Sequence, residues 1–249
     1  MATANQPSKE MIIIWDFDRT IITDHCDRWV VLETGLTKLF HRLRLTLSWN
    51  SLMDRIMDEL HAQGKTIQDF VNRLNNFTLD PQMISAIRSA HDLGCEMKVL
   101  SNANQFFIET ILKNNGVYEC FSGIISNPTV VDEEGRLRIL PYHGVHFQPH
   151  GCKFCPANLC KGIVIDKIRD SDTKKRGIIY IGDGKDDLCP ALKLSEEDHV
   201  MPKKRLTLYY MLTLATIPIM PKIHAWKDGE ELNSILVGLL SPQTDAINQ

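Results

Sequence analysis

The chain has 249 residues, of which 43% are hydrophobic and 24% charged, and a formal net charge of −3. That length suits one α/β domain with a smaller inserted module better than two equal domains, and the charge excludes the broad basic face on which nucleic-acid binding depends. Its seven cysteines, Cys26, Cys95, Cys120, Cys152, Cys155, Cys160 and Cys189, are odd in number and follow no secretory leader, so they read as reduced thiols of a cytoplasmic protein.

The first ten residues, MATANQPSKE, are polar and read as a frayed tail. Residues 11–15 (MIIIW) are a continuous apolar run, the mark of a strand buried on both faces of a parallel sheet, and the run ends in Asp16-Phe17-Asp18. From 36 to 74 the apolar positions take helical spacing: Leu36, Leu39, Phe40, Leu43; then Leu52, Met53, Ile56, Met57, Leu60; then Ile67, Phe70, Val71, Leu74. This predicts an all-helical module, residues 24–80, inserted into a core made of 1–23 and 81–249. Thr66 and Asp69 have the spacing of a capping box, and Asp80-Pro81 supplies an N-cap and an N1 proline for a helix that Gly94 can end.

Beyond the module, short apolar strands at 97–100 and 123–125 alternate with a helix at 106–112, which predicts a parallel sheet. Residues 130–142 hold Glu134-Gly135 between extended runs and predict a hairpin, and the following stretch to Cys160, rich in Cys, His, Pro and Gly, reads as an irregular loop. Residues 178–181 (IIYI) are the last strongly marked core strand and run into Gly182-Asp183-Gly184. The apolar stretch 206–220, broken by Thr207, Thr213, Thr216 and Pro218, falls short of the roughly 20 residues a membrane span needs and reads as a buried helix followed by a loop. The predicted class is α/β, a Rossmann-like parallel sheet flanked by helices, with a small helical cap after the first strand.

Two apolar strands far apart in sequence thus deliver carboxylates at their C-terminal ends, Asp16 and Asp18 after one, Asp183, Asp186 and Asp187 after the other. Ligands of open α/β sheets bind at that edge. Like charges a few ångströms apart repel, so such a cluster calls for a cation, and an all-oxygen donor set suits Mg²⁺.

The string Asp16-Phe17-Asp18-Arg19-Thr20 resembles the DxDx[TV] first motif of the haloacid dehalogenase superfamily of aspartate-nucleophile phosphatases. Leu100-Ser101-Asn102 is similar to its second motif, Lys161 in Cys160-Lys161-Gly162 to its third, and Gly182-Asp183-Gly184-Lys185-Asp186-Asp187 to its GDxxxD fourth. The resemblance implies that Asp16 attacks phosphorus to give an aspartyl phosphate and that Asp18 acts as acid and then as base. It implies Mg²⁺ bound by Asp16, the Asp18 carbonyl and Asp183, with Asp187 contributing directly or through water. Thr20, Ser101, Asn102 and Lys161 would hold phosphoryl oxygens. Asp186 stands where many relatives carry Asn and reads as a cap of the next helix.

More narrowly, the segments around Thr20-Ile21-Ile22, Cys155-Pro156-Ala157-Asn158-Leu159-Cys160-Lys161-Gly162 and Cys189-Pro190 resemble the phosphoethanolamine/phosphocholine phosphatase family, whose plant relatives include thiamine-phosphate phosphatase-like proteins and small inorganic pyrophosphatases. Arg19 replaces a glycine common in relatives and can bind a second anionic group. Asp24 and Asp27 are candidates to meet a cationic leaving group, with Trp29 as an aromatic face for a quaternary nitrogen; the alternative is that both aspartates cap the first cap helix and Trp29 is core. The expected substrate is a small phosphomonoester, thiamine monophosphate or phosphocholine/phosphoethanolamine, with inorganic pyrophosphate on the same site as the alternative, and no nucleic-acid or membrane partner. A reading of another class, a non-catalytic Cys/His metal-binding module, rests on Cys152, Cys155 and Cys160 with His143, His146 and His150. Their spacing matches zinc motifs only in part and lacks a second CxxC, so the cysteines are expected to pack a loop that presents Lys161.

Overall fold

A computed structural model describes residues 10–144 and 150–241; the N-terminal tail and His146 lie outside them. In chain order, strand β1 (Met11–Trp15) is followed by helices α1 (Cys26–Glu33), α2 (Thr37–Leu43), α3 (Trp49–Ala62), α4 (Ile67–Leu74) and α5 (Pro81–Asp92). Then come β2 (Glu96–Asn104), α6 (Gln105–Asn114), β3 (Gly123–Asn127), β4 (Thr129–Val131), β5 (Leu137–Ile139) and α7 (Lys161–Ser171). The chain closes with β6 (Gly177–Gly182), α8 (Leu188–Ala191), β7 (His199–Pro202), α9 (Thr207–Thr213), β8 (Lys222–Ile223) and α10 (Gly229–Leu240).

Six strands form one parallel sheet in the order β3-β2-β1-β6-β7-β8. The reason lies in the side-chain alternation of the central strands. Met11, Ile13 and Trp15 of β1, with Ile179 and Ile181 of β6, point into a core shared with α1 to α6 and α10. Ile12 and Ile14, with Ile178 and Tyr180, point the other way, into a core shared with α7, α8 and α9. Both faces are therefore covered, which a parallel sheet requires. The chain extends the sheet from β1 through β2 to β3 on one side and through β6 on the other, so the strand order switches direction at β1. A crevice opens at the carboxyl ends there.

Between β1 and α5 the chain forms four helices, α1 to α4, and both predicted caps form: Thr66 and Asp69 make a reciprocal capping box, and Asp80 caps α5 ahead of Pro81. The predicted hairpin is β4–β5, and it docks on α3. Arg138 meets Asp54 of α3 through two hydrogen bonds, Ile139 N–H donates to Asp54 Oδ1 at 2.8 Å, and Asn50 Nδ2 donates to the Ile139 carbonyl at 3.1 Å.

Two expectations change. The stretch 206–220 is only half buried: Leu208 and Leu212 of α9 reach the core, while Leu214 is 76% exposed. Strands β7 and β8, with four and two residues, extend the sheet beyond the strand at 178–181. Among the described residues, no helix is long and apolar enough to cross a membrane.

Candidate active site

Asp16 is the first residue after β1, and its N–H still donates to the Ile181 carbonyl at 2.8 Å, so the carboxylate is carried on the rigid end of the sheet. The backbone then turns sharply through Arg19, at φ +60°. L-residues pay about 1–2 kcal/mol there and glycine does not. The turn is braced by Arg19 N–H donating to Asp24 O at 3.2 Å and Lys203 Nζ donating to Arg19 O at 2.8 Å. It aims Asp18 at the crevice, where Oδ1 accepts from Cys26 N–H at 3.0 Å and Oδ2 lies 3.4 Å from His25 Nδ1. The Asp18 hydrogen bond raises the pKa of His25, and burial opposes the rise.

Ser101 and Asn102 sit at the end of β2, where Ser101 is buried with its Oγ accepting from Ala103 N–H at 3.2 Å. Lys161 opens α7 and is 1% exposed. Its Nζ lies 2.7 Å from Asp16 Oδ1, 2.6 Å from Asp187 Oδ1 and 3.0 Å from Asp186 Oδ2. Burial works against the ammonium, but Asp16, Asp186 and Asp187 together hold its pKa well above the usual lysine value, so it stays charged.

After β6, Asp187 holds the turn together. Its Oδ2 accepts from Asp183 N–H at 2.9 Å and Gly184 N–H at 2.8 Å, and its Oδ1 accepts from Lys161 and from the Tyr180 hydroxyl. Gly182 is required for this: a Cβ there would stand 2.6 Å from the Asp187 carboxyl carbon. Asp186 does not cap α8 through its side chain; it accepts from Asn102 Nδ2 at 2.7 Å and so ties the ends of β2 and β6.

Asp16, Asp183 and Asp187 each offer a carboxylate oxygen, and these atoms lie within 4.8 Å of one another. Burial, with Asp187 and the other carboxylates, pushes Asp16 well above the ordinary carboxylate range against the pull of Lys161. Burial and Asp187 push Asp183 up to about 6, opposed by Arg19 and Lys161. A buried, mutually repelling, all-oxygen set of this kind can hold a hard divalent cation.

Over this floor lies a cavity of about 610 Å³. Of the residues singled out in the sequence, Asp16, Asp18, Arg19, Ser101, Asn102 and Asp183 line it, whereas Lys161 and Asp187 lie behind the lining. Its outer wall adds His25, Arg28, Arg44, Trp49, Lys153, Phe154 and Lys185, none of them singled out in the sequence.

Other expected site residues lie elsewhere. Thr20 is fully buried, its hydroxyl has no partner, and it does not line the cavity. Asp24 is exposed, spends its Oδ1 on His25 N–H and is also off the cavity. Asp27 is 2% exposed and accepts from Trp49 Nε1 and Asn104 Nδ2, both at 2.9 Å, so it joins the helical module to the sheet instead of facing a ligand. Trp29 packs edge-on against Phe77 and belongs to the core; the aromatic ring at the cavity is Trp49. Of the alternatives the sequence left open, Trp29 as a core residue matches the packing, whereas neither Asp24 nor Asp27 caps α1: its N-cap is His25, which makes no side-chain cap, and Asp18 accepts from Cys26 N–H instead. His143 and His150 brace loop backbone: Cys160 N–H donates to His143 Nε2 at 2.9 Å, and Cys152 N–H donates to His150 Nδ1 at 3.1 Å.

The groups arrive in the chain order of haloacid dehalogenase-type phosphatases, on the fold of that superfamily. The structure superposes on a HAD family hydrolase of Salmonella enterica serovar Typhi with a TM-score of 0.63 at 17% identity, covering 95% of this chain and 72% of that one. Residues 11–240 match the model of the Putative Phosphatase family, and the chain belongs to it. It is 47% identical over 238 residues to a thiamine phosphate phosphatase-like protein of Arabidopsis thaliana, covering 94% of this chain and 97% of the relative. It is also 47% identical over 229 residues to inorganic pyrophosphatase 1 of the same plant, covering 90% of this chain and 78% of that relative. The chain is thus a phosphatase by class.

Proposed function

We propose that the chain hydrolyses a small phosphate compound whose leaving group is itself anionic, with inorganic pyrophosphate the simplest case, through an aspartyl phosphate on Asp16. The observation that carries the anionic preference is the cavity wall. Arg19, Arg28, Arg44, Lys153 and Lys185 line it, and its carboxylates are confined to the floor, at Asp16, Asp18, Asp183 and Asp186. A second phosphate above the floor meets guanidinium and ammonium donors suited to its oxygens. A choline or thiazolium cation meets like charge, because Asp24 and Asp27 do not line the cavity.

In this reading Asp16 Oδ attacks phosphorus as the bond to the leaving oxygen breaks. Asp18, held toward the cavity by Cys26 N–H and His25, gives its proton to that oxygen. It then takes a proton from the water that cleaves the aspartyl phosphate and releases orthophosphate. Lys161 opposes the burial that would protonate Asp16 and neutralises phosphoryl oxygens. Mg²⁺ suits the carboxylates of the floor: Asp16 and Asp183 would hold it, with the Asp18 carbonyl the further ligand that the family resemblance implies, and it would supply further charge neutralisation. Asp187 already accepts hydrogen bonds on both oxygens from four donors, so its part is to hold Lys161 and the Asp183 turn.

The relatives named inorganic pyrophosphatase support this reading. An amine-bearing phosphomonoester is the second reading, favoured by the Trp49 ring at the cavity and by the relative named thiamine phosphate phosphatase-like. A panel of pyrophosphate, thiamine monophosphate, phosphocholine and phosphoethanolamine, assayed with and without Mg²⁺, separates the two. Mass spectrometry of a rapidly quenched reaction is expected to find one phosphoryl group on Asp16. Turnover with an unmodified Asp16 and undiminished activity of Asp16→Asn contradicts the nucleophile assignment.

A further inference from the structure

Beside the phosphate floor lies a group of sulfurs, one of which, Cys155, also lines the cavity. Cys152, Cys155 and Cys160 come from the loop ahead of α7, and the fourth, Cys189, comes from α8, just after the last carboxylate of the floor. Their Sγ atoms all lie within 4.8 Å of one another, with Cys152 and Cys189 3.5 Å apart and Cys160 and Cys189 3.8 Å apart. Zinc–sulfur bonds of 2.3 Å at tetrahedral angles place neighbouring sulfurs about 3.8 Å apart. The observed spacing matches the edges of that tetrahedron and is far longer than an S–S bond.

The surrounding backbone fits a thiolate cluster. Phe154 N–H and Cys155 N–H both donate to Cys152 Sγ at 3.4 Å, the pattern that orients and stabilises a ligating sulfur from outside. His150 accepts from Cys152 N–H and contacts the Pro156 carbonyl at 3.0 Å, so the ring fixes the loop and leaves the donor set to sulfur. Gly162 admits Cys189: a Cβ there would stand 2.5 Å from its Sγ. All seven cysteines are free thiols.

We propose that Cys152, Cys155, Cys160 and Cys189 bind one structural Zn²⁺, which ties the loop that walls the cavity to the turn that carries its carboxylates. Binding replaces each thiol proton by a zinc–sulfur bond and releases the protons to solvent, with no change of oxidation state. The site is closed, four protein sulfurs and no open position, so it does no chemistry of its own. Its consequence is positional. Lys161 follows Cys160 directly, Lys153 and Phe154 lie between two of the ligands and line the cavity, and Asp186 and Asp187 lie immediately before the turn to Cys189. One ion thereby sets the distance between the two sides of the phosphate site.

The test needs no substrate. Protein purified under reducing conditions from zinc-replete cells, dialysed against EDTA and measured by plasma mass spectrometry, is expected to hold one zinc per chain. Refolding with Co²⁺ is expected to give the intense visible bands of a tetrahedral thiolate site. Cys189→Ser is expected to lose both signals, while Cys95→Ser, remote from the cluster, keeps them. Because Cys189→Ser can unfold the chain, the cobalt spectrum of the unaltered protein decides. Its absence together with zinc far below one per chain overturns the proposal. So does iron in place of zinc, or a thiol count on freshly denatured protein that shows these cysteines paired as disulfides.

Discussion

The floor of the cavity is built from buried side chains at strand ends, Asp16, Ser101 and Asp183, backed by the equally buried Lys161 and Asp187, which hydrogen-bond to them without lining the cavity themselves. Its outer wall is built from long side chains of the helical module and loops, among them Arg28, Arg44, Lys153 and Lys185. Floor groups are locked by one another: Lys161 touches three carboxylates, and Asp187 fixes both Lys161 and the Asp183 turn. Wall groups are looser; Arg19, between the two, is 38% exposed at its side chain and only 3.6 Å from Asp183. Chemistry set by a locked floor is sensitive to any change, whereas specificity set by solvated cations can be altered at little cost to stability.

The sharpest way to break the comparison is at the floor. Asp16→Asn is expected to lower kcat by roughly 10³-fold or more, as removal of a covalent nucleophile does, while the melting curve stays cooperative. Lys161→Met leaves Asp16, Asp186 and Asp187 without their buried counter-charge and is expected to cost about 3–5 kcal/mol in urea denaturation. A loss below about 1 kcal/mol would mean the lysine is not the lock described here.

Asp27 offers a pH test of the seam between module and sheet. Burial and Asp18 push its carboxyl up to about 7, against the Trp49 and Asn104 hydrogen bonds. Its folded pKa lies above its unfolded one, so between about pH 4 and pH 7 the folded chain keeps a proton that the unfolded chain releases. The stability this contributes is complete below that window and is lost as the pH rises through it. The stability difference between the unaltered protein and Asp27→Asn is therefore expected to narrow by on the order of a few kcal/mol from pH 4 to pH 7. A difference constant over that range contradicts the assignment. The smallest effect is expected at Arg19→Gly, which removes the left-handed strain and raises stability by about 1 kcal/mol while weakening the hold on a second anion.

How much of this was legible in the sequence divides along the same line. The carboxylates of the floor could be read because each follows a local signal, the apolar run 11–15 before Asp16 and the run 178–181 before Asp183, whereas Ser101 and Lys161 entered only through the family resemblance of their motifs. The wall could not, because Arg28 on α1 or Arg44 just past the end of α2 looks like any solvated cation until the helices are packed. The same limit left the aromatic ring open: Trp29 and Trp49 both lie in helical segments, and only packing shows that Trp29 meets Phe77 while Trp49 reaches the cavity. Asp27 looked like a ligand for a cation because its two partners, Trp49 and Asn104, are 22 and 77 residues away. Strands β7 and β8 are too short to show a period. The sulfur cluster looked incomplete because Cys189 lies 29 residues beyond Cys160, outside any contiguous spacing pattern.

The preference of the wall is the central claim, and one ratio tests it most directly: kcat/KM for pyrophosphate over kcat/KM for phosphocholine, in the unaltered protein and in the Arg28→Ala, Arg44→Ala double variant. The account predicts a ratio well above unity that falls by roughly tenfold or more in the double variant, chiefly through KM for pyrophosphate. A ratio below unity in the unaltered protein, or one that the double variant leaves unchanged, would contradict it.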